Sequence, residues 1–247
     1  MIIKDGMQAT EEEIVSFLMI GQSNMAGRGN IEDVPPIRNP KCLMLRMGRW
    51  QHMNEPINPD RAIFAGKYRS GVGLAASFAD SYSKEHENRV GLIPCADGGT
   101  PLSAWMPGEI LFDHAVMMTK LAMRTSRFGG ILWHQGENDC AKEELLQTYK
   151  ERFIPMITAM RRELGAEELP VIIGEVSEYI TDAWKMGDRP ARLNGIFREI
   201  AAELPCCGVA SSKDLALKAD GIHFCSASCR TFGERYYDIY KELTKNN

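Results

Sequence analysis

Long apolar runs and clustered positive charge are both missing from this sequence. Its 247 residues contain no uninterrupted apolar stretch of about 18, the length that a membrane-spanning helix needs. The 29 Lys and Arg residues are outnumbered by 33 Asp and Glu, which gives a net charge of −4, whereas nucleic-acid-binding proteins concentrate basic residues. We therefore expect neither a membrane span nor a nucleic-acid partner.

Cysteine is too scarce for a disulfide framework. The chain contains seven, an odd number, and several fall in apolar segments. Small secreted domains held together by disulfides are richer in cysteine and usually contain an even number. We interpret these residues as reduced thiols that pack as small hydrophobic side chains. They are Cys42, Cys95, Cys140, Cys206, Cys207, Cys225 and Cys229.

Residues 1–13 lack the apolar core of a signal peptide and end in an acidic run. We therefore expect a cytoplasmic protein. The sequence has no internal repeat, low-complexity tract or linker-like segment, and its length suits one α/β domain. We expect a single domain over residues 1–247, and the sequence does not indicate an oligomeric state.

Short apolar runs without alternation predict strands that are covered on both faces. They are residues 14–20, 42–45, 90–95, 130–134 and 171–176. Helical periodicity is found at residues 73–86, 112–127, 143–164, 191–204 and 226–243. Because strands that alternate with helices form βαβ units, we predict a three-layer α/β/α sandwich with a mainly parallel central sheet.

Residues 46–72 interrupt this pattern, since they combine Trp50, Tyr68 and Arg69 with several prolines and show little periodicity. A long irregular segment inside a domain is usually functional or mobile. We predict that it forms a rim over the strand ends. A surface loop without a role is the alternative.

Glycine and polar residues follow several of the predicted strands. In an open parallel sheet, ligands bind outside the carboxyl ends of the strands. The segments there are GQSNMAG at 21–27, ADGGT at 96–100 and QGEND at 135–139, and DGIH at 220–223 precedes the last helix. We expect these segments to meet at one edge of the sheet and form a site.

Ser23 comes directly after the first predicted strand, between Gly21 and Gly27. A sharp turn from strand to helix would lift its Oγ to the sheet edge, as a nucleophile requires, although the pattern is not the Gly-x-Ser-x-Gly elbow of α/β-hydrolases. The alternative is a serine that caps a helix N-terminus.

Asp220 and His223 are three positions apart, so the carboxylate can reach Nδ1 of the imidazole within one turn. Nε2 would then face Ser23, which is the arrangement of a catalytic triad. The alternative is an ordinary Asp-Gly turn beside an incidental histidine.

Together these segments resemble the sequence blocks of the sialate O-acetylesterase and acetylxylan esterase group. This group is carbohydrate esterase family six, in the SGNH (GDSL-like) hydrolase superfamily. The blocks are GQSNMAG at 21–27, PCADGGT at 94–100 with Trp105, WHQGEND at 133–139 and DGIH at 220–223, in the family order. The resemblance implies a flavodoxin-like sandwich and a serine esterase that removes acetyl groups from sugars without a cofactor or metal.

The resemblance also implies a role for individual residues. Ser23 is the expected nucleophile, His223 the general base and Asp220 its acid partner. The backbone N–H groups of Ser23 and Gly98 and the side chain of Gln135 are expected to form the oxyanion hole. Many superfamily members have Asn where this chain has Gln135.

Glu137 has two possible roles. In the family, the glutamate of this block has been implicated as a second acid beside the catalytic histidine, where two carboxylates would stabilise the protonated imidazole. Alternatively, Glu137 binds backbone amides and holds its loop in shape. Trp105 and Arg69 are expected to contact the substrate, because aromatic and hydrogen-bonding side chains suit a sugar.

Three other functions compete with a sugar acetylesterase. A hydrolytic metal centre would use acidic and imidazole side chains, but it gives no reason for Ser23 or the Gly-Gly-Thr loop. Its candidate ligands are His134, Glu137, Asp139, Asp220 and His223. An SGNH lipase or thioesterase for short acyl esters would want an apolar acyl pocket, and a non-catalytic carbohydrate-binding protein would not need an intact triad. We expect acetylated xylo-oligosaccharides, sialic acids or similar sugars as substrates.

Overall fold

The computed structural model describes residues 14–59, 69–180 and 184–245. Its central element within these residues is a seven-stranded sheet in the order β3-β2-β4-β1-β5-β6-β7. The strands are β1 (Ile14–Gly21), β2 (Cys42–Arg46), β3 (Arg49–His52), β4 (Arg89–Pro94), β5 (Arg127–His134), β6 (Val171–Gly174) and β7 (Cys207–Ala210). Strand β3 is antiparallel to β2, and every other neighbouring pair is parallel.

Helices cover both faces of the sheet. They are α1 (Ser23–Ala26), α2 (Leu74–Glu85), α3 (Ile110–Ala122), α4 (Glu143–Gln147), α5 (Tyr149–Leu164), α6 (Arg189–Glu203) and α7 (Ser226–Thr244). Helices α2 and α7 pack together on one face, and α3, α5 and α6 lie on the other. The predicted α/β/α sandwich is therefore confirmed. Within the described ranges, no helix has both the length and the apolarity required to cross a bilayer.

Strand β1 shows why its sequence is apolar without alternation. Phe17 lies on the α2 and α7 face, where its ring meets Phe78 edge-on at 4.8 Å and Tyr240 at 5.2 Å. Leu18 and Ile20 pack into the core on the opposite face. Both faces are buried, and full burial of a side chain of this size contributes about 1.5–3 kcal/mol. Apart from Ser16 and the terminal Gly21, the strand is therefore apolar throughout.

The structure differs from the prediction at two strands and two helices. Strands β3 and β7 were not expected, because β3 is largely exposed and β7 is only four residues long. The predicted helix at 143–164 is divided at Thr148, whose backbone is not helical (φ −97°, ψ 6°). The predicted helix at 112–127 ends at Ala122, because β5 begins at Arg127.

The segment 46–72 is only partly a rim. Trp50 lies on β3, donates to Thr125 Oγ1 at 3.0 Å and packs over Gly91 within β4, so it faces the sheet and not the strand ends. Asn58 bonds both the N–H and the carbonyl of Ala96, at 3.1 and 2.9 Å, and so supports the loop after β4. Residues 60–68, including Tyr68, lie outside the described residues.

The register of the three central strands brings their following loops together. Gly21 at the end of β1 is opposite His134 at the end of β5, and Met19 is opposite Pro94 at the end of β4. The Gln22 N–H donates to His134 O at 2.8 Å, and this hydrogen bond joins the start of the loop after β1 to the end of β5. Strands β2, β3 and β4 lie on one side of β1, and β5, β6 and β7 lie on the other side. Ligands bind at such topological switch points in open α/β sheets.

Candidate active site

The turn after β1 depends on glycine. Gly21 has φ +126°, and a Cβ at this position would lie 2.1 Å from the carbonyl oxygen of His134. The chain then enters the short helix α1, with Gln22 as its N-cap and Ser23 as its first residue. Ser23 is therefore not the capping residue. Its side chain stands at the sheet edge, and its N–H has no acceptor among the described residues.

Ser23, His223 and Asp220 form a hydrogen-bonded chain. Ser23 Oγ lies 2.9 Å from His223 Nε2, and His223 Nδ1 lies 2.9 Å from Asp220 Oδ2. The other carboxylate oxygen, Oδ1, accepts hydrogen bonds from the N–H groups of Ile222 at 3.1 Å and His223 at 3.0 Å. A single loop thus holds both the acid and the imidazole in the arrangement that triad chemistry requires.

The surroundings of Asp220 keep its carboxylate ionised. Partial burial alone would raise its pKa, but the hydrogen bonds from the N–H and the imidazole of His223 and from the N–H of Ile222 outweigh burial and lower the pKa below its usual value. An ionised Asp220 accepts a hydrogen bond from Nδ1–H of His223. This tautomer leaves Nε2 of His223 unprotonated and facing Ser23.

Gly98 brings the loop after β4 close to Ser23. A Cβ at Gly98 would lie 3.6 Å from Ser23 Cβ and 2.4 Å from Arg28 Nη2, so a larger residue would collide with the arginine. The Gly98 N–H has no acceptor among the described residues. The loop after β5 holds Gly99, whose carbonyl accepts a hydrogen bond from Asn138 Nδ2 at 2.9 Å.

The predicted oxyanion role of Gln135 is wrong in this structure. Gln135 is fully buried, and its Nε2 donates to Asp139 Oδ2 at 2.6 Å and to Thr100 O at 3.1 Å. Its Oε1 accepts a hydrogen bond from the Tyr149 hydroxyl at 2.8 Å. The amide is therefore occupied beneath the site, because the side chain of the first residue after β5 turns inward.

Gln22 lines the site instead of Gln135. Its Oε1 accepts hydrogen bonds from the N–H of Asn138 at 3.3 Å and more weakly from Gly136 at 3.4 Å. Within the described residues its Nε2 has no acceptor, although the side chain borders the same cavity as Ser23. Its position directly before Ser23 in the first sequence block is the signal that could have identified it.

Glu137 is buried behind Ser23. Its Oε1 accepts a hydrogen bond from Asn24 Nδ2 at 2.5 Å and lies 3.3 Å from His134 Nε2. In the described part of the chain, no hydrogen bond joins Glu137 to His223, so the structure does not place it as a second acid on that imidazole. Burial alone would raise the pKa of Glu137, but His134 and Asn24 lower it below its usual value.

Asn24 links the nucleophile to the loop of the base. Its Oδ1 accepts the N–H of Phe224 at 3.1 Å, and its Nδ2 also approaches the carbonyl of Ile222 at 3.3 Å. These two residues flank His223. The relative position of Ser23 and His223 therefore depends on the side chain of Asn24.

The candidate metal ligands do not form one cluster. Asp139 binds Arg152 at 2.9 Å and the N–H of Leu102 at 2.8 Å, away from the pair formed by His134 and Glu137. Asp220 and His223 belong to the hydrogen-bonded chain that reaches Ser23. No group of three or more His, Cys, Asp or Glu side chains in the described ranges is placed to hold a metal ion.

Two connected hollows lie above the sheet edge. The inner cavity, about 400 Å³, is lined by Gln22, Ser23, Arg28, Gly98, Gly99, Glu137, Asn138, Ala141, Trp184, Met186, Ile222 and His223. The outer groove, about 860 Å³, is lined by Arg28, Gly29, Asn30, Ile31, Glu32, Asp33, Arg69, Ser70, Gly71, Trp184, Lys218, Asp220 and His223. The predicted contact residue Arg69 borders only the outer groove.

Trp105 is not available to a substrate. It is fully buried, donates its Nε1 to Thr100 Oγ1 at 3.1 Å and packs edge-on against Trp133. The prediction that it contacts the sugar is therefore wrong, because the residue supports the loop after β4 from below. Trp184, which the sequence analysis did not identify, is 46% exposed and borders both hollows.

A family model described as carbohydrate esterase, sialic acid-specific acetylesterase matches residues 13–242. The chain belongs to this family. The probable carbohydrate esterase At4g34215 of Arabidopsis thaliana is 29% identical over 229 residues, which cover 84% of this chain and 82% of that protein.

Several solved structures share this fold. The crystal structure of At4g34215 has a TM-score of 0.82 at 25% identity and covers 93% of this chain and 98% of that one. NanS has a TM-score of 0.76 at 16% identity, with 96% and 99% covered. XAC1771, a carbohydrate acetylesterase from Xanthomonas citri, has 0.58 at 16%, with 94% and 57% covered. The last two show a shared fold. The prediction of an SGNH-type carbohydrate O-acetylesterase is confirmed.

Proposed function

We propose that this esterase removes O-acetyl groups from sugars through an acetyl-serine intermediate on Ser23. The observation that carries the proposal is the unbroken hydrogen-bonded chain from Ser23 through His223 to Asp220, which opens into the inner cavity. A hydroxyl within 2.9 Å of an imidazole that is oriented by a carboxylate is a serine prepared for deprotonation.

In the first half-reaction, Ser23 Oγ attacks the acetyl carbonyl carbon while His223 Nε2 takes its proton. The carbonyl oxygen becomes an oxyanion, for which the N–H groups of Ser23 and Gly98 are donors. Gln22 Nε2 is the proposed third donor. When the tetrahedral intermediate collapses, the C–O bond to the sugar breaks and His223 returns the proton to the departing sugar oxygen.

In the second half-reaction, water replaces the sugar. His223 Nε2 removes a proton from the water as its oxygen attacks the acetyl-serine, and the same oxyanion donors stabilise the new intermediate. Collapse then breaks the bond between the acetyl carbon and Ser23 Oγ, the proton returns to the serine and acetate leaves. Removal of one oxyanion donor is expected to lower kcat by a factor on the order of 10²–10³.

The size of the inner cavity supports an acetyl ester over a long acyl ester. The lining is mixed, with polar Gln22 and Asn138 beside apolar Ala141, Met186 and Ile222. The volume of about 400 Å³ is near the lower end of the range for ligand sites, which favours a short acyl group, and the polar side chains suit the hydroxyls of a sugar. We expect acetate esters to be hydrolysed and octanoate esters of the same alcohol to be poor substrates.

Replacement of the nucleophile tests the mechanism. Ser23→Ala should lower hydrolysis of acetylated xylo-oligosaccharides and acetylated sialic acids by orders of magnitude, while its thermal melt stays close to that of the wild type. Mass spectrometry of acid-quenched wild-type enzyme should find one acetyl group on the peptide that contains Ser23. Near-normal activity in folded Ser23→Ala would disprove the acetyl-serine route.

A further inference from the structure

We propose that Trp184 is the platform on which the sugar stacks, and that the outer groove holds a neutral sugar unit beyond the acetylated ring. This inference rests on the proposed function, since it assigns the leaving-group side of the same site. It identifies a specificity-determining residue, Trp184, and predicts a preference for neutral acetylated oligosaccharides over acetylated monosaccharides.

The direction in which the sugar leaves follows from the triad. His223 must give a proton to the departing oxygen, so that oxygen has to lie within hydrogen-bond distance of Nε2. Ser23 and Gly98 border only the inner cavity, whereas His223 borders both hollows and Asp220 borders only the outer groove. The acetyl group therefore occupies the inner cavity, and the sugar extends past His223 toward the outer groove.

Trp184 stands on this path. It borders both hollows, and 46% of its surface is exposed although it is among the largest apolar side chains. An indole with one edge bound and much of its surface open is suited to pack against the apolar C–H face of a sugar ring. Trp184 therefore offers the stacking surface that the buried Trp105 cannot provide.

One hydrogen bond anchors the indole, and the chain that follows Trp184 is itself held in place. Its Nε1 donates to the carbonyl of Asp220 at 3.0 Å, which is the backbone of the triad acid. Met186, two positions later, is buried, and Arg189 binds the carbonyls of Lys185 at 2.6 Å and Cys140 at 2.5 Å. A platform that is already ordered loses little conformational entropy when a ligand binds.

The charges that the described residues bring to the outer groove are balanced. Of these residues, three cationic side chains border it, Arg28, Arg69 and Lys218, and three anionic ones, Glu32, Asp33 and Asp220. A site for an acidic sugar would carry an excess of positive charge. Balanced donors and acceptors suit neutral hydroxyls, and about 860 Å³ lies within the range of about 300–1,000 Å³ that holds a whole small ligand.

The experiment compares three acetate esters of increasing reach, and each variant is compared with the wild type on the same ester so that leaving-group reactivity cancels. Ethyl acetate has no ring, acetylated xylose fills the position beside His223, and acetylated xylotriose extends into the outer groove. We expect the wild type to have the highest kcat/KM for xylotriose. Trp184→Ala should lower that value about tenfold, equivalent to about 1.4 kcal/mol, chiefly through KM, and should change ethyl acetate less than twofold.

Two further variants serve as controls. Trp184→Phe keeps an aromatic face but loses the bond to Asp220, and it should retain most of the preference for xylotriose. Tyr179→Ala removes an exposed aromatic side chain that borders a neighbouring hollow and not the outer groove, and it should change nothing. In the inactive Ser23→Ala background, acetylated xylotriose should quench tryptophan fluorescence, and Trp184→Phe should remove much of that quenching.

Several outcomes would overturn the inference. Equal losses on ethyl acetate and xylotriose in Trp184→Ala would mean that Trp184 acts only through Asp220. A wild type without preference for xylotriose, or with preference for an acetylated acidic sugar of the same size, would mean that the outer groove has another role. If Ser23→Ala keeps its activity, the proposed function fails; if Ser23→Ala is inactive and Trp184→Ala is unaffected, only the platform fails.

Discussion

Asn24 Nδ2 lies 2.5 Å from Glu137 Oε1, and both side chains are buried directly behind the nucleophile. Through this contact the loop after β5 fixes the residue that follows Ser23. The same Asn24 side chain bonds the backbone on either side of His223. We therefore infer that Glu137 is a positioning residue, which acts on the distance between nucleophile and base through Asn24 without touching either.

Glu137→Gln should affect stability more than chemistry. A buried hydrogen bond to a charged group contributes about 1.5–3 kcal/mol, and we expect the free energy of unfolding to fall by about that amount. Ser23, His223 and Asp220 are unchanged in this variant, so kcat should fall less than about tenfold. Urea unfolding and kcat on one acetate ester measure both. A large loss of kcat with unchanged unfolding free energy would make Glu137 a direct participant in catalysis.

Asp220→Asn should have the opposite profile. The amide can stabilise the wrong tautomer of His223, and the loss of kcat is expected to be on the order of 10³–10⁴. Asp220 is half-exposed, so Asp220→Asn should lower the melting temperature measurably, but by less than Glu137→Gln does. If Asp220→Asn retains near-normal kcat, another group orients the imidazole.

The sequence predicted those site residues whose neighbours in the fold are also close in the chain, and it failed where side-chain direction depends on tertiary packing. Asp220 and His223 share one short loop, and Ser23 follows a strand that is buried throughout. Their spacing therefore indicated a triad, while the choice over a capping serine and an ordinary Asp-Gly turn came from the resemblance of the sequence blocks. Gln135 was assigned wrongly because the direction of the first side chain after a strand depends on a single residue of register. Trp105 was assigned wrongly because it ends a short 3-10 helix, Leu102–Trp105, whose inward face is set by what packs beneath it.

Trp184 could not be identified in advance. It lies in a segment without periodicity, far from the sequence blocks, and reaches the site only because its indole bonds the backbone of Asp220. Strand β3 was missed for a related reason, since its outward side chains leave no apolar pattern. The layers of the fold are encoded in burial patterns, whereas contacts between distant loops require the folded chain.

Acid should remove the stabilisation that Asp220 provides. Its pKa is lowered in the folded state, so the ionised carboxylate stabilises the fold above the ordinary Asp pKa of about 3.9. That contribution is lost as pH falls through the lowered folded value. The difference in melting temperature between wild type and Asp220→Asn should therefore shrink between pH 6 and pH 3. A difference that stays constant with pH would contradict this assignment.

The two glutamines make a matched pair for the oxyanion hole. Gln22→Glu keeps an oxygen that can accept from the loop after β5 but removes the donor, so kcat should fall on the order of 10²–10³. Gln135→Ala should instead lower stability, by about 1–3 kcal/mol, because Tyr149 and Asp139 lose a buried partner. Steady-state kinetics and urea unfolding of both variants decide. A fall of kcat confined to Gln135→Ala would return the oxyanion role to that residue.

Thiol alkylation should leave the enzyme active, although two cysteines adjoin the loops of the site. Cys95 and Cys140 are buried, and burial raises the pKa of both thiols well above the usual value, so little reactive thiolate exists at neutral pH. Burial likewise raises the pKa of Cys42, Cys207 and Cys229 to about 12. Only Cys206 and Cys225 are partly exposed.

We therefore expect iodoacetamide at pH 7.5 to label Cys206 and Cys225 alone, as judged by intact mass and peptide mapping. In a Cys206→Ser/Cys225→Ser variant, native treatment should leave both mass and turnover unchanged, while treatment in urea should label the remaining five thiols. Labelling of Cys95 or Cys140 in the folded variant, with a parallel loss of turnover, would show that the loops beside Ser23 open far enough to expose the core.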